Sequence, residues 1–298
     1  MNDITKAGTQ KSDGAHPLEL DSETFRAQFP RQPFGVKHHL ADHPLFAIPR
    51  LLELARALPE SCVEYNEGNI PVNMGYQASP RTGLSAEETI RRIREAHSWM
   101  VLKYVEKDAD YRALLDQCLD QVRDLSESVV PGMCNREGFI FLSSPGSTTP
   151  FHVDPEHNFL LQIQGRKFVN IFDPADTAVV TEADIERGLF TKNRNLAFND
   201  EIQARAQVFE LTPGLGVHFP VAAPHWVKNG PDVSISFSIT FRSMNSERCE
   251  AVRRFNVGLR ERGFHPKPMG RSAVGDAAKF QMYRALRRMG GLKSILWS

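Results

Sequence analysis

The sequence predicts a mainly β protein with flanking helices, in which a central run of strands forms a barrel or jelly roll. Three observations lead to this prediction. Apolar residues recur at helical spacing before residue 130 and again after residue 245. Between these regions, short apolar runs rich in Val, Ile and Phe alternate with turns rich in Gly, Pro, Asn and Asp. Many short strands in succession are typical of β-barrels and jelly rolls.

The N-terminal part of the chain is predicted to be a tail followed by a mainly helical arm. Residues 1–20 are polar and rich in small side chains, which indicates a disordered tail. Residues 21–130 form the arm, where Ser85 followed by Glu88 has the spacing of a capping box and predicts a helix start. The other predicted elements of the arm are two amphipathic helices and a β-rich piece, at Ile48–Leu58, Tyr111–Val122 and Trp99–Val105.

The β core is predicted over residues 131–245, with a helical insertion at Thr181–Thr191. Its strands are the apolar runs Phe139–Leu142, Phe159–Ile163, Lys167–Phe172, Val208–Leu211, Gly216–Phe219 and Val233–Phe241. Residues 246–298 are predicted to be helical again, over Cys249–Arg262 and over Val274–Met289. The second helix is basic, and we interpret its charges as a solvated face on a packing helix.

The composition restricts the possible classes of function. The 36 basic and 36 acidic side chains cancel, so no overall field favours nucleic acid or an anionic membrane. Four cysteines without a C-x-x-C pair argue against a disulfide framework or a structural zinc site. Because the sequence lacks an apolar run long enough for a membrane helix, we expect a soluble cytoplasmic protein with reduced thiols.

His152 and Asp154 form the candidate metal site together with His225. On an extended segment, residues two apart point to the same face, so an imidazole and a carboxylate can share one metal ion. His225 lies between two predicted strands and is the best candidate for a third ligand. Two histidines and one carboxylate on one side of a metal are the ligand set of non-haem ferrous oxygenases.

A family resemblance surrounds these residues and covers about residues 130–245. Its motifs are TPFHVD from Thr149 to Asp154, Asn158-Phe159, QIQGRK from Gln162 to Lys167, Phe172-Asp173-Pro174, Pro213–Pro220 and Pro224-His225-Trp226. Together they resemble the core of the JmjC-type (cupin-8) oxygenases, and among these the asparaginyl hydroxylases of the factor-inhibiting-HIF type. The resemblance implies a double-stranded β-helix that uses Fe(II), with 2-oxoglutarate and O2 as co-substrates.

The same resemblance assigns a role to each matching residue. His152, Asp154 and His225 would bind the iron, and it implies no catalytic residue beyond this metal centre. Lys167 and Thr149 would bind the distal carboxylate of 2-oxoglutarate.

The other implied contacts to the co-substrate come from β strands that flank the metal. Asn158 would lie beside the co-substrate. On the last strand the family carries an Asn, and here Ser238 is the best-placed residue. The sequence also departs from the family at Gly214-Leu215-Gly216 and at Ala223-Pro224.

Several functions remain open within this interpretation. The substrate is expected to be a protein or peptide side chain, with a free amino acid or natural-product intermediate as the alternative. N-demethylation follows from the same chemistry and ranks below hydroxylation. A cupin that uses no 2-oxoglutarate is disfavoured by Asp154, and a non-catalytic barrel is disfavoured by the intact ligand set. The C-terminal helices are candidates for a homodimer contact.

Four further residues receive structural interpretations. His157 is expected in solvent or beside the site, and His218 is expected to be a satisfied core histidine. Arg242 is expected either to reach an anionic group or to end its strand in solvent. Glu156 has no partner that the sequence identifies.

Overall fold

The computed structural model describes residues 16–74, 80–190 and 194–288, which form two facing antiparallel β-sheets with helices outside them. Within these ranges the strands are β1 (Leu18–Glu19), β2 (Phe34–His38), β3 (Val63–Glu67), β4 (Ser98–Lys103), β5 (Cys134–Ser143), β6 (Thr148–His152), β7 (His157–Gln164), β8 (Lys167–Ile171), β9 (Gln207–Leu211), β10 (Leu215–Phe219), β11 (His225–Asn229) and β12 (Ser234–Arg242). The α-helices are α1 (Ser22–Gln28), α2 (Ile48–Ala57), α3 (Ala86–Arg91), α4 (Ala109–Ser126), α5 (Glu182–Phe190), α6 (Met244–Arg260) and α7 (Ala273–Arg288). Short 3-10 helices lie at Pro44–Phe46, Glu60–Cys62, Val105–Lys107 and Asp200–Arg205.

The order of the strands identifies a jelly roll of the double-stranded β-helix type. The major sheet has the order β1-β2-β10-β7-β12-β5-β4-β3, and the minor sheet has the order β6-β11-β8-β9. From β5 onward the chain passes from one sheet to the other at almost every step, so neighbours within a sheet are distant in sequence. The fold predicted from the sequence is confirmed. No helix in the described ranges is long and apolar enough to span a bilayer.

The N-terminal arm contributes more strands than its sequence predicted. β1 and β2 extend the major sheet beyond β10, and β4 and β3 extend it beyond β5. The predicted tail lies largely outside the described residues, but Leu18 and Glu19 within it pair with β2. The predicted capping box is confirmed at the start of α3, where the Glu88 N–H donates to Ser85 Oγ at 3.2 Å and the Ser85 N–H donates to Glu88 Oε2 at 3.0 Å.

Side-chain alternation along the strands separates an outer apolar core from a polar interior. On β12 the residues Ile235, Phe237, Ile239 and Phe241 belong to the core between the major sheet and the helices. The intervening residues, Ser234, Ser236, Ser238 and Thr240, therefore point between the two sheets. A second apolar cluster lies between the sheets and joins side chains from β7, β8, β10 and β11. The β-barrel interior is thus apolar at one end and polar where β12 faces β6.

Two strands that carry site residues were not predicted. β6 contains Pro150, and β11 begins directly after Pro224. Proline has no amide donor and is typical of loops and strand ends, so both segments resemble loops in sequence. The predicted insertion helix is present as α5, and Thr191 and Met289 from the predicted helices lie outside the described residues.

Candidate metal centre and co-substrate pocket

His152 and His225 lie at neighbouring ends of two paired strands. His152 ends β6, His225 begins β11, and the two residues are direct partners in the antiparallel register. Their ring centroids are 4.1 Å apart. Alternation explains the direction of His152, because Phe151 and Val153 on either side of it belong to an apolar cluster on the outer face of the minor sheet.

The backbone orients both imidazoles toward Asp154. His152 Nδ1 lies 2.7 Å from the Pro150 carbonyl oxygen, and His225 Nδ1 lies 2.9 Å from the Ala223 carbonyl oxygen. Because a carbonyl oxygen only accepts hydrogen bonds, each Nδ1 donates its N–H to that oxygen, and each Nε2 is left free to bind a metal. The two Nε2 atoms lie 3.6 and 3.7 Å from Asp154 Oδ2.

The three donor atoms fit one metal ion. One donor atom from each residue lies within 4.8 Å of the others. Burial, together with the neighbouring His152, lowers the pKa of His225 to about 4, which keeps that imidazole neutral and able to bind metal. Although burial opposes ionisation, the neighbouring His152 and Arg194 hold the pKa of Asp154 well below its usual range. Two neutral imidazoles and one carboxylate on one side of a common point are the ligand set that ferrous iron takes in non-haem oxygenases.

Lys167 fits the binding of an anion in the barrel interior. It begins β8, opposite Leu211 of β9 and Asn229 of β11, and is only 4% exposed. Within the described ranges it has no hydrogen bond or ion pair, and burial lowers its pKa to about 7. A buried ammonium without a counter-charge is costly. The site therefore favours a ligand carboxylate at this position.

Thr149, Asn158 and Ser238 line the same cavity as His152 and Asp154. Thr149 pairs with Val227 of β11, three residues before His152. The Ser238 hydroxyl donates to Asn158 Oδ1 at 2.7 Å, which orients the amide of Asn158 toward the interior. The structure therefore brings three of the four predicted co-substrate residues to the cavity wall beside His152 and Asp154, whereas Lys167 is not among the residues that line this cavity.

The cavity extends well beyond the metal centre. Its volume is about 1110 Å³. The arm supplies much of its wall, with side chains from β3, β4 and the segment after α2, including Leu58, Tyr65, Trp99, Lys103 and Tyr104. The core supplies Phe139 and Phe141 from β5. The metal centre thus lies in a large pocket with aromatic and charged walls.

Arg194 is the main site residue that the sequence did not indicate. Its Nη1 atom donates to Asp154 Oδ1 at 2.8 Å, from a segment forty positions further along the chain. No local motif indicates Arg194, because its contact with Asp154 depends on the pairing of the neighbouring Asn195 with the end of β6. A bridge between His152 and Asn195 makes that connection.

Glu156 and Arg242 form an ion pair beside the metal centre. Arg242 Nη2 lies 2.9 Å from Glu156 Oε1, and the same guanidinium contacts Glu250 of α6. Of the two expectations for Arg242, the anionic contact is therefore confirmed. Burial and the nearby Asp154 raise the pKa of Glu156 to about 7. The pair, with Glu250, connects the loop after Asp154 to α6.

His157 and His218 lie outside the barrel, in the outer core. His157 is 4% exposed and packs against Phe29 and Phe241, so the expectation that it faces solvent or supports the site is wrong. His218 is fully buried, and its Nδ1 lies 3.3 Å from the Gln32 carbonyl oxygen. Its Nε2 has no hydrogen-bond partner in the described residues, so it is a core histidine that is only partly satisfied.

Comparisons with known proteins place the chain in a family. The cupin-like domain family matches residues 50–255, more than half of the chain. Lysine-specific demethylase 8 of Xenopus tropicalis is 25% identical, over 74% of this chain and 53% of that protein. HSPB1-associated protein 1 of Bos taurus is 30% identical over 44% of this chain and 30% of that protein. The chain thus spans about a third to a half of the length of these relatives.

A solved structure shares the fold. The ribosomal oxygenase YcfD from Escherichia coli, in complex with cobalt and 2-oxoglutarate, superposes with a TM-score of 0.51 and 16% identity. The match covers 94% of this chain and 70% of YcfD. The chain belongs to the cupin-like domain family, in agreement with the resemblance of its sequence to JmjC-type (cupin-8) proteins.

Proposed function

We propose that this protein hydroxylates a side chain of a protein or peptide, using iron bound by His152, Asp154 and His225. Iron with O2 and 2-oxoglutarate supplies the oxidant, so that a substrate C–H bond becomes C–OH while 2-oxoglutarate becomes succinate and CO2. The observation that carries the proposal is the meeting of three donor atoms within 4.8 Å of one another, where His152 and Asp154 line a cavity of about 1110 Å³. The chain's own residues bind and orient the reactants.

Lys167 and Thr149 would hold the distal carboxylate of 2-oxoglutarate. Lys167 is buried and lacks a counter-charge in the described residues, which supports an anionic ligand there. The Thr149 hydroxyl is a donor on the cavity wall. Asn158, oriented by Ser238, would contact the co-substrate nearer the metal. These four residues lie on four different strands, so the rigid sheets preorganise the site.

The size of the cavity supports a peptide substrate over a small molecule. Pockets for small ligands usually occupy about 300–1,000 Å³ and bury most of the ligand. This cavity is about 1110 Å³ and reaches from the metal centre to the arm. Two of the relatives, lysine-specific demethylase 8 and HSPB1-associated protein 1, carry names that refer to protein partners or substrates. A side chain on an extended peptide can reach the metal while its neighbours occupy the outer walls.

Succinate release tests the proposed activity. The purified protein is supplied with Fe(II), ascorbate, O2 and 2-oxoglutarate, and succinate is measured with and without a peptide library. We expect turnover that requires iron and that is lost in His152→Ala and Asp154→Ala. His39→Ala, which removes an exposed histidine far from the site in sequence, is the matched control and should retain full turnover. Unchanged succinate release in the two ligand variants would show that the metal assignment is wrong.

The product distinguishes hydroxylation from demethylation, which the name of lysine-specific demethylase 8 makes the second candidate. Hydroxylation adds one oxygen atom to the peptide and releases no formaldehyde. Demethylation of an N-methyl group removes a methyl group and releases formaldehyde. Mass spectrometry of the peptide pool together with a formaldehyde assay separates the two reactions.

We also propose that the C-terminal helices form a homodimer contact. None of the described side chains of α7 is buried, and its residues Val274 and Met282 are 82% and 47% exposed. Light scattering should give a dimer mass for the wild-type protein and a monomer mass for the double variant Val274→Asp, Met282→Asp. Val208→Asp, at an exposed apolar position on β9, should remain dimeric. A monomeric wild-type protein would contradict this proposal.

A further inference from the structure

The two carboxylate oxygens of Asp154 have different neighbours. Oδ2 faces the Nε2 atoms of His152 and His225, at 3.6 and 3.7 Å. Oδ1 accepts a hydrogen bond from Nη1 of Arg194 at 2.8 Å. A guanidinium bonded to a carboxylate oxygen is a strong and directional contact. The contact therefore restrains rotation of the carboxylate and leaves one oxygen for a metal.

The backbone holds Arg194 in this position. The next residue, Asn195, forms an antiparallel bridge with His152, and the Leu196 N–H donates to the Phe151 carbonyl oxygen at 2.7 Å. This pairing places Arg194 beside the residue that precedes Asp154. Helix α5 packs closely behind the pairing, since a Cβ at Gly188 would lie 2.9 Å from Val153. Backbone pairing thus fixes Arg194 in the wall of the cavity, although its side chain is 52% exposed.

We propose that Arg194 is a positioning residue that limits Asp154 to one donor oxygen and so keeps coordination positions open for 2-oxoglutarate and O2. The proposal rests on the proposed iron site. A carboxylate binds a metal with one oxygen or with both, and the second mode uses an additional coordination position. Facial-triad chemistry requires those open positions.

Charge alone does not explain this role. A guanidinium next to a metal-binding carboxylate repels the cation, so Arg194 gains no metal affinity through its charge. Its contribution is the binding mode of Asp154, in the way that groups behind a metal ligand orient that ligand. Loss of Arg194 should therefore leave metal affinity the same or higher, while it weakens the binding of the co-substrate.

The test compares the wild-type protein with Arg194→Met, both loaded with Co(II). Crystal structures should show one Asp154 oxygen on cobalt in the wild-type protein, with Arg194 on the other, and both oxygens on cobalt in the variant. Titration calorimetry on the cobalt-loaded proteins should show 2-oxoglutarate binding about 10-fold or more weaker in the variant. Cobalt affinity should be equal or higher.

Arg81→Met is the matched control. Arg81 lines the same cavity, and the described residues offer it no hydrogen bond or ion pair. Its removal takes one positive charge from the cavity without touching Asp154, so 2-oxoglutarate affinity should stay within about twofold of wild type. An equal loss in both variants would show that cavity charge, and not the orientation of Asp154, controls co-substrate binding.

Two outcomes overturn the inference and leave the proposed function intact. One is a wild-type cobalt complex in which Asp154 binds through both oxygens, or in which Arg194 has left it. This outcome needs no variant, so the test does not depend on the folding of Arg194→Met. The other is a variant in which Asp154 still binds cobalt through one oxygen with unchanged 2-oxoglutarate affinity. Failure of the wild-type protein to bind cobalt at His152 and His225 would instead contradict the proposed function.

Discussion

Two pairs of histidines, one inside the barrel on the minor sheet and one outside it on the major sheet, differ in most properties that matter for metal binding. The outer pair, His157 and His218, has ring centroids 6.3 Å apart within a cluster of phenylalanines. The inner pair, His152 and His225, has centroids 4.1 Å apart and shares Asp154. Each inner imidazole has Nδ1 at a backbone carbonyl, which frees Nε2 toward the carboxylate.

The comparison shows that the site depends on the face of the strand on which each histidine lies and on a nearby carboxylate. Burial of two neighbouring histidines is not sufficient. The outer pair is more deeply buried than the inner pair, in which His152 is half-buried. Burial lowers the pKa of His157 to about 4, as it does for His225. A lowered pKa therefore does not distinguish the inner pair from the outer pair. In the part of the chain that the structure describes, no carboxylate forms a metal-binding group with the outer pair, and aromatic rings pack against it. We expect it to contribute to stability and the inner pair to contribute to chemistry.

The largest expected effect separates the two pairs by metal binding. His225→Ala should weaken Co(II) binding by at least about 100-fold, because it removes one of three ligands and leaves a carboxylate and one imidazole. His157→Phe should bind Co(II) with wild-type affinity. Titration calorimetry under nitrogen measures both, and circular dichroism confirms that the variants are folded. Equal affinity in wild type and His225→Ala would remove the distinction between the two pairs.

A second prediction compares an inward and an outward lysine on neighbouring strands. Lys167→Met should raise the KM for 2-oxoglutarate by about 30-fold or more, since loss of one partner of a buried charge pair costs about 2–5 kcal/mol. Without 2-oxoglutarate the same variant should be more stable than wild type, because it no longer buries an unpaired ammonium.

Lys228→Met is the control for this prediction. Lys228 is an exposed residue of β11, and its Nζ donates to the Gly146 carbonyl oxygen. We expect little change in the KM for 2-oxoglutarate. A wild-type KM in Lys167→Met would exclude Lys167 as the carboxylate-binding residue.

The outer pair should make stability depend on pH. Burial lowers the pKa of His157 to about 4, below the value of about 6.5 in an unfolded chain. The unfolded chain therefore binds an extra proton between these values, and stability decreases as pH falls from about 6.5 toward 4. At about pH 5 the loss from one such histidine is about 2 kcal/mol.

His157→Phe isolates that contribution. Urea unfolding of chelator-treated protein, at about pH 7 and about pH 5, should show a loss about 2 kcal/mol smaller in the variant than in wild type. His38, His218 and His225, whose pKa values burial also lowers, remain in both proteins and contribute to the residual pH dependence. The same loss in variant and wild type would show that His157 titrates normally in the folded protein.

The sequence predicted a barrel or jelly roll and a candidate ligand set because both depend on local patterns, and the family resemblance implied the double-stranded β-helix. Strand-length apolar runs separated by turns indicate β7, β8, β10 and β12. The spacing of His152 and Asp154 places both on one face of an extended segment. Lys167 and Asn158 follow from motifs at a constant distance from these ligands.

Contacts between distant segments were beyond local patterns. The pairing of β2 with β10 and of β4 with β5 brings the arm into the major sheet through backbone hydrogen bonds that any sequence can form. Arg194 reaches Asp154 across forty positions, and no motif connects them. The prediction for His157 was wrong because His157 lies near the ligands in sequence, whereas its side chain points to the other side of the strand, into the outer core. Local periodicity thus identifies the ligands, and tertiary pairing decides what surrounds them.

The smallest expected effect tests whether two inward-facing serines of β12 have different roles, one in co-substrate binding and the other in packing. Ser238 and Ser236 lie on the same face of β12 and donate to neighbouring side chains of β7, Asn158 and Gln162, both at 2.7 Å. Only Ser238 and Asn158 of these four line the cavity. Substitution of either serine by Ala should cost about 1 kcal/mol of stability, the usual contribution of one hydrogen bond. Ser238→Ala should also weaken 2-oxoglutarate binding about three- to fivefold, because the Asn158 amide loses its orientation, whereas Ser236→Ala should leave that affinity unchanged. If both variants bind 2-oxoglutarate as wild type does, β12 serves the fold alone.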